Sequence, residues 1–282
     1  MIKLWKHSGF IIVFQRLIIL LGPLRGILIF YHRLVSSRKP KSDYAESHFT
    51  GIDKKAMLNN LRSNGFSKGI DLPEKYVTDI LAFTGSTSIT VGAHPGVIIS
   101  TGDQAPPIKH IADYSYRNPH RSCAAINAIS NDPAILGIAR EYLGVANPVL
   151  YSTIMYWSFP KRDTSGNIIS DNRQKKLFHF DVSDSKALSL FFYLTDVDEN
   201  SGPHIVIAGT NHNRTLFNLL NWRLSDERAK KKYGDRIQAL TGKRGTGFFE
   251  DLLNYHKHSL PHEASPRLML ALNYVIHRQP RS

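Results

Sequence analysis

Residues 177–194 read LFHFDVSDSKALSLFFYL, two apolar runs joined by a short polar link. The first run alternates apolar residues with His179 and Asp181. In an extended segment, side chains at i and i+2 point to one side of the chain. His179 and Asp181 therefore project together from a strand over Leu177 to Val182, an imidazole beside a carboxylate. One more histidine would complete the two-His, one-carboxylate face that holds non-haem Fe(II) and leaves coordination positions open. His256 is the best candidate, with His258 and His262 as competitors, and Arg267, eleven residues after His256, is a candidate anchor for a carboxylate co-substrate. Alone, an H-x-D pair is a weak signal in a chain with 13 histidines.

Composition narrows the setting. A chain of 282 residues, 42% of them hydrophobic, buries the core of one large domain, with room for helical additions. Cys123 is the only cysteine, which excludes a disulfide scaffold and thiolate zinc sites and makes the reducing cytosol the simplest compartment. The net charge of +13 is uneven: residues 1–42 hold eight Lys or Arg and no acid, which leaves +5 for the rest. Those basic residues flank three apolar blocks, at 10–14, 17–21 and 27–31, and do not interleave with base-reading side chains, so no nucleic acid is expected as a partner.

Arg16 and Arg25 make a spanning helix over 10–31 costly, and Gly22-Pro23 would break it. Neither an uninterrupted apolar core nor a cleavage site marks a secretory signal. Two short apolar helices lying on an anionic cytoplasmic leaflet are expected over 1–42, with their cations reaching the headgroups. The bland alternative is that they pack on the domain. The protein is then cytoplasmic and peripheral to the membrane.

Further on, helices are expected from Asp53 to Leu61, from Pro73 to Phe83, and from Asp132-Pro133 to Gly144, each with its capping residues in place. Residues 86–121 read as irregular and 213–239 as a charged helical insertion. Strands are expected over 149–159, 177–182, 187–194, 205–207, 247–255 and 268–276. Helices followed by about eight short strands predict a mainly β protein with helical additions. Its core is a jelly-roll, cupin-like double-stranded β-helix with N-terminal helices.

H-F-D at 179–181, F-Y-L-T-D-V at 192–197, E-N-S-G-P-H at 199–204 and A-G-T-N-H at 208–212 resemble the phytanoyl-CoA dioxygenase family of Fe(II)/2-oxoglutarate oxygenases. F-E-D at 249–251, H-K at 256–257 and R-L at 267–268 extend the resemblance, which covers roughly 148–276. It departs at Ala208, where that family usually has proline, and at His258, where glycine often follows the His-Lys pair. The resemblance implies that 43–282 form the dioxygenase domain, with iron on His179, Asp181 and His256. It implies 2-oxoglutarate on Arg267, with O2 as the other co-substrate and succinate and CO2 as co-products. A second 2-oxoglutarate contact is open among Tyr151, Thr153 and Tyr156. Retention of Asp181 favours hydroxylation over halogenation. Leu188, Leu190 and Phe192 are expected to keep the site dry. The substrate is a small molecule, a lipid or a lipid-linked glycan; a non-catalytic jelly-roll binding module at a membrane surface is the alternative.

Overall fold

The computed structural model of the chain describes residues 26, 27, 30 and 31 and, from 46 onward, all except 93, 101, 104, 109, 110, 161–176, 183, 185, 213–221, 260, 262–264 and 277–282. The anchor expected over 1–42 therefore lies outside the described residues, apart from exposed helical positions that include Ile27, Phe30 and Tyr31. Among the described residues, no helix is long and apolar enough to cross a membrane.

Helix α1 (Lys54–Asn64) begins where the Asp53 carboxylate accepts the Ala56 amide hydrogen at 2.9 Å. It ends at Gly65, whose φ of 76° is left-handed. Only glycine fits there on two counts, since a side chain would also strike the Asn254 amide. Strand β1 (Phe66–Asp71), helix α2 (Glu74–Ser86), the hairpin β2 (Ile89–Val91) and β3 (His94–Val97), and strand β4 (Asp113–Arg117) follow. Helices α3 (Ala124–Ser130) and α4 (Pro133–Leu143) then lead into the barrel. Buried Asp132 caps α4 through the Ala134 amide at 2.8 Å and also holds the His48 amide at 2.7 Å. The three helices expected from the sequence are present.

The second half of the chain is β5 (Val149–Ser158), β6 (Ala187–Tyr193), β7 (His204–Ile207), α5 (Asp226–Tyr233), β8 (Ile237–Leu240), β9 (Thr246–Glu250), β10 (His256–His258) and β11 (Arg267–Val275). One antiparallel sheet runs β1-β9-β6-β11-β5-β4 and a second runs β10-β7-β8. Bridges from His179 to His256 and from Phe178 to Leu224 carry the second sheet outward past β10. One core cluster takes Phe191, Tyr193, Phe248 and Met269 from the large sheet and Val206 and Leu240 from the small one, so the two sheets close face to face. The expected double-stranded β-helix is the fold.

Strand alternation assigns each residue to a layer. All seven residues of β6 are buried, because the large sheet is covered on both sides. Leu188, Leu190 and Phe192 face the helices, packing with Leu58, Leu61 and Ile138. They do not line the interior, contrary to expectation; Phe191, Phe248 and Met269 do. Further differences are the β2–β3 hairpin, which falls in the stretch read as irregular, and strands β4 and β8. Within the stretch read as irregular, β4 buries Tyr114 and Tyr116 and exposes the residues between, a half-buried edge strand next to β5. The charged stretch 213–239 is helical at α5 and then turns into strand β8.

Candidate metal centre

The small sheet sets His179 opposite His256, with backbone hydrogen bonds in both directions at 2.9 and 2.8 Å. Their ring centroids lie 4.7 Å apart. Asp181 enters from the same side as His179, placing its carboxylate 3.8 Å from His179 Nε2 and 3.6 Å from His256 Nε2. One ligand atom from each of the three falls within 4.8 Å of the others, a spacing that a single ion can close. Both rings are oriented from behind. His179 Nδ1 faces the Leu177 carbonyl at 3.0 Å and His256 Nδ1 the Asn254 carbonyl at 3.1 Å. With Nδ1–H donating to those carbonyls, each Nε2 lone pair points at the shared gap, which is how protein metal sites fix imidazole tautomers. The group is lopsided in exposure: the Asp181 side chain is 49% exposed, His179 27% and His256 3%. Its open side lies along His179 and Asp181.

Behind His256 stands an acid that the sequence reading did not single out. Glu250 is fully buried, 3.5 Å from His256 Nδ1 through one oxygen and 2.6 Å from His204 Nε2 through the other. Two buried histidines thus share one carboxylate. Burial works against a proton on His256, but the Glu250 charge and the Asp181 hydrogen bond and charge overcome it and push its pKa up to about 9. At His204, burial outweighs Glu250 and keeps the ring below its ordinary value. The proton belongs to His256, and neutral His204 donates Nε2–H to Glu250. His179 is lowered first by burial and then by the His256 charge, with the Arg223 guanidinium adding to it. Burial would raise Asp181, yet its interactions with His256 and the charges of His179 and His204 hold it below the usual carboxylate range.

Arg267 opens β11 opposite Ser158 of β5 and points into the barrel, on the face shared with Met269 and Ala271. It is fully buried. Its guanidinium donates to the Gly202 carbonyl and, at 3.2 Å, to Ser158 Oγ, while Nε has no partner. Among the described residues no carboxylate pairs with it. Of the three candidates for a contact beside it, Tyr156 shares the inner face, with Arg267 5.7 Å from its ring. Tyr151 is 49% exposed, and Thr153 on the outer side bonds His120 Nδ1 at 2.7 Å.

His258 lies between the two regions: it faces the Tyr156 hydroxyl at 3.3 Å and the His204 ring at 5.3 Å. It is therefore an interior residue, but not a member of the three-residue cluster. His204 is an interior strand residue, while His212 contacts the Arg62 carbonyl. His262 lies outside the described residues.

No family model and no curated protein matches the sequence. Solved structures do share its fold. AviO1 from Streptomyces viridochromogenes is 14% identical, with a TM-score of 0.51 over 83% of this chain and 99% of that one. SnoN, described as a non-haem α-ketoglutarate-dependent epimerase from nogalamycin biosynthesis, is 14% identical, with a TM-score of 0.52 over 79% and 82% of the two chains. EctD from S. alaskensis with bound Fe is 18% identical, with a TM-score of 0.54 over 85% of each chain. At such identities the likeness is one of fold.

Proposed function

We propose that this chain is an Fe(II)- and 2-oxoglutarate-dependent oxygenase that hydroxylates a small organic substrate. The observation that carries the reading is the pairing of two sites inside one barrel. A facial His179–Asp181–His256 group has its imidazoles pre-oriented, and a fully buried Arg267 has no carboxylate partner among the described residues. The donor set of two imidazoles and one carboxylate suits a non-haem Fe(II) centre with open positions. The Arg267 guanidinium suits the distal carboxylate of 2-oxoglutarate, to which it can offer two parallel charge-assisted hydrogen bonds. When bound, the metal and co-substrate supply oxidation of a C–H bond by O2, with 2-oxoglutarate leaving as succinate and CO2.

The protein's own residues do the rest. Leu177 and Asn254 fix the two ligand rings through their carbonyls. Glu250 steadies His256 from behind, and Tyr156 and Ser158 frame Arg267. Phe191, Phe248 and Met269 exclude water from the interior. Two shared-fold structures support the reading by what their descriptions state: EctD was solved with 2-oxoglutarate and 5-hydroxyectoine, and SnoN with Fe3+, α-ketoglutarate and nogalamycin RO. The resemblance to phytanoyl-CoA dioxygenases points the same way. The basic apolar segment 1–42 is the reason to keep lipids and lipid-linked glycans among the substrates to be tried.

The test is conversion of 2-oxoglutarate to succinate by the full chain with and without Fe(II), alongside His179→Ala and Asp181→Ala. Turnover is expected only with iron and only in the wild type. Full turnover in both variants would remove the assignment of these residues, whereas no turnover by the wild type with Fe(II) would leave the binding-module reading.

A further inference from the structure

The open side of the His179–Asp181–His256 group is bordered by a short segment that no other function claims. Phe178 and Leu224 exchange backbone hydrogen bonds at 3.0 and 2.9 Å in an antiparallel bridge. One step along, that register sets Arg223 opposite His179, on the inner face. The alternation agrees, because Phe178 and Leu224 both pack outward in one cluster with Phe180 and Tyr255. The Arg223 charge reaches the His179 ring.

Arg223 is exposed, and among the described residues no carboxylate pairs with it. Its guanidinium instead sits over the Trp222 ring, 4.6 Å from the centroid. Trp222 is itself pinned: its indole N–H donates at 3.3 Å to the carbonyl of Phe180, the residue between the two ligands His179 and Asp181. A planar guanidinium stacked on an indole keeps its N–H edge outward, which is the arrangement that takes up carboxylate, phosphate or sulfate bidentately. Trp222, 40% exposed, puts apolar surface against it, and Leu177, 41% exposed, stands two residues before His179 on the same side of the chain.

We propose that Arg223, held on Trp222, anchors the acid group of an anionic organic substrate whose carbon skeleton lies across Trp222 and Leu177 towards the metal. This deepens the oxygenase reading and rests on it. Cross-strand neighbours carry their Cβ atoms about 5 Å apart, so the acid group and the oxidised C–H bond belong to the same small molecule. Arg267 cannot take this role, since it is buried at the far side of Tyr156 and His258.

Matched pairs of alkyl and aryl carboxylic acids and their primary amides are the probes, compared by saturation-transfer NMR on the full metal-free chain. Wild type and Arg267→Ala should bind the acids about ten-fold or more tightly than the amides, as expected when a hydrogen bond to a charged group is gained. Arg223→Gln should lose that preference, and Arg223→Lys should keep part of it. An unchanged acid preference in Arg223→Gln overturns the proposal, as does its loss in Arg267→Ala, which would place the acids at the deep arginine. Aryl and alkyl phosphates run in parallel tell whether the anchor prefers a phosphate or a carboxylate. None of these measurements needs iron or turnover, so failure here is distinct from failure to form succinate.

Discussion

Replacing Glu250 by glutamine keeps the size of the side chain and removes one charge from behind His256. In the metal-free protein, His256 is held up to about 9 from an ordinary 6.5 because Glu250 and Asp181, 3.5 and 3.6 Å away, favour its charged form against burial. At about 1.36 kcal/mol per pH unit, the gap between 6.5 and about 9 is worth about 3 kcal/mol. The folded-state value lies above the unfolded one, so this stability is fully present below pH 6.5 and is lost as pH rises through about 9.

The same proton blocks the metal. Binding at His256 Nε2 must displace it, so the logarithm of the apparent Ni(II) affinity should climb until about pH 9 and only then level off. In Glu250→Gln the largest single cause that raises His256 is gone. The break in that climb should move down towards 6.5, and the stability lost between pH 6.5 and 9 should shrink. The assays are chemical denaturation in chelator from pH 6 to pH 9.5, and Ni(II) titration in competition with a chromophoric chelator over the same range. Affinity at one pH is not the readout, because Glu250 also attracts the metal. An identical break point in wild type and variant would refute the reasoning.

Arg267→Ala should weaken 2-oxoglutarate binding about 100-fold or more, the order expected when one partner of a buried charged pair is truncated, while Ni(II) binding holds; calorimetric titration of both ligands checks it. Asn254→Ala should cost about 3 kcal/mol, because buried Asn254 accepts from the Thr210 and Asn211 amides at 3.0 and 2.8 Å and donates to the Asn64 carbonyl at 3.0 Å. Thermal melts should show it as a Tm lower by about 6–12 °C.

The H-x-D pair was legible because its message is local: period-two geometry puts His179 and Asp181 on one wall wherever the strand lies. Caps were legible for the same reason, as Asp132 before Pro133 and Gly144 at the far end show. Strand β4 escaped because DYSYR buries only two tyrosines between polar residues, and β8 because four residues, IQAL, end a charged stretch. Glu250 escaped for a deeper reason. Phe248 and Glu250 point into the barrel while Phe249 packs on the helix side and Asp251 reaches the Tyr142 hydroxyl at 2.5 Å. A strand buried on both faces shows no polar side to reveal which of two adjacent acids looks inward. Arg223 needed the bridge between Phe178 and Leu224, a pairing of residues 46 apart that no local pattern announces.

The interior charges also discriminate between an oxygenase and a binding module. Glu250 and Arg267 are both fully buried, yet they do not pair with each other. A buried ion without a partner costs several kcal/mol, and the aromatic wall of Phe191 and Phe248 shows that the same barrel can be filled with apolar groups. Glu250 has two histidines to offset its burial. Among the described residues Arg267 has one carbonyl and one hydroxyl as partners and no carboxylate. From His256 a run of ring contacts passes through His204 and His258 to Tyr156, at 5.4, 5.3 and 5.4 Å, and ends at Arg267. The acids Asp181 and Glu250 lie at one end of this run and the guanidinium at the other. An apolar ligand or a neutral glycan gains nothing from that polarity. A divalent cation chelated by a dicarboxylate matches it at both ends, with the metal among the acids and the distal carboxylate on the arginine.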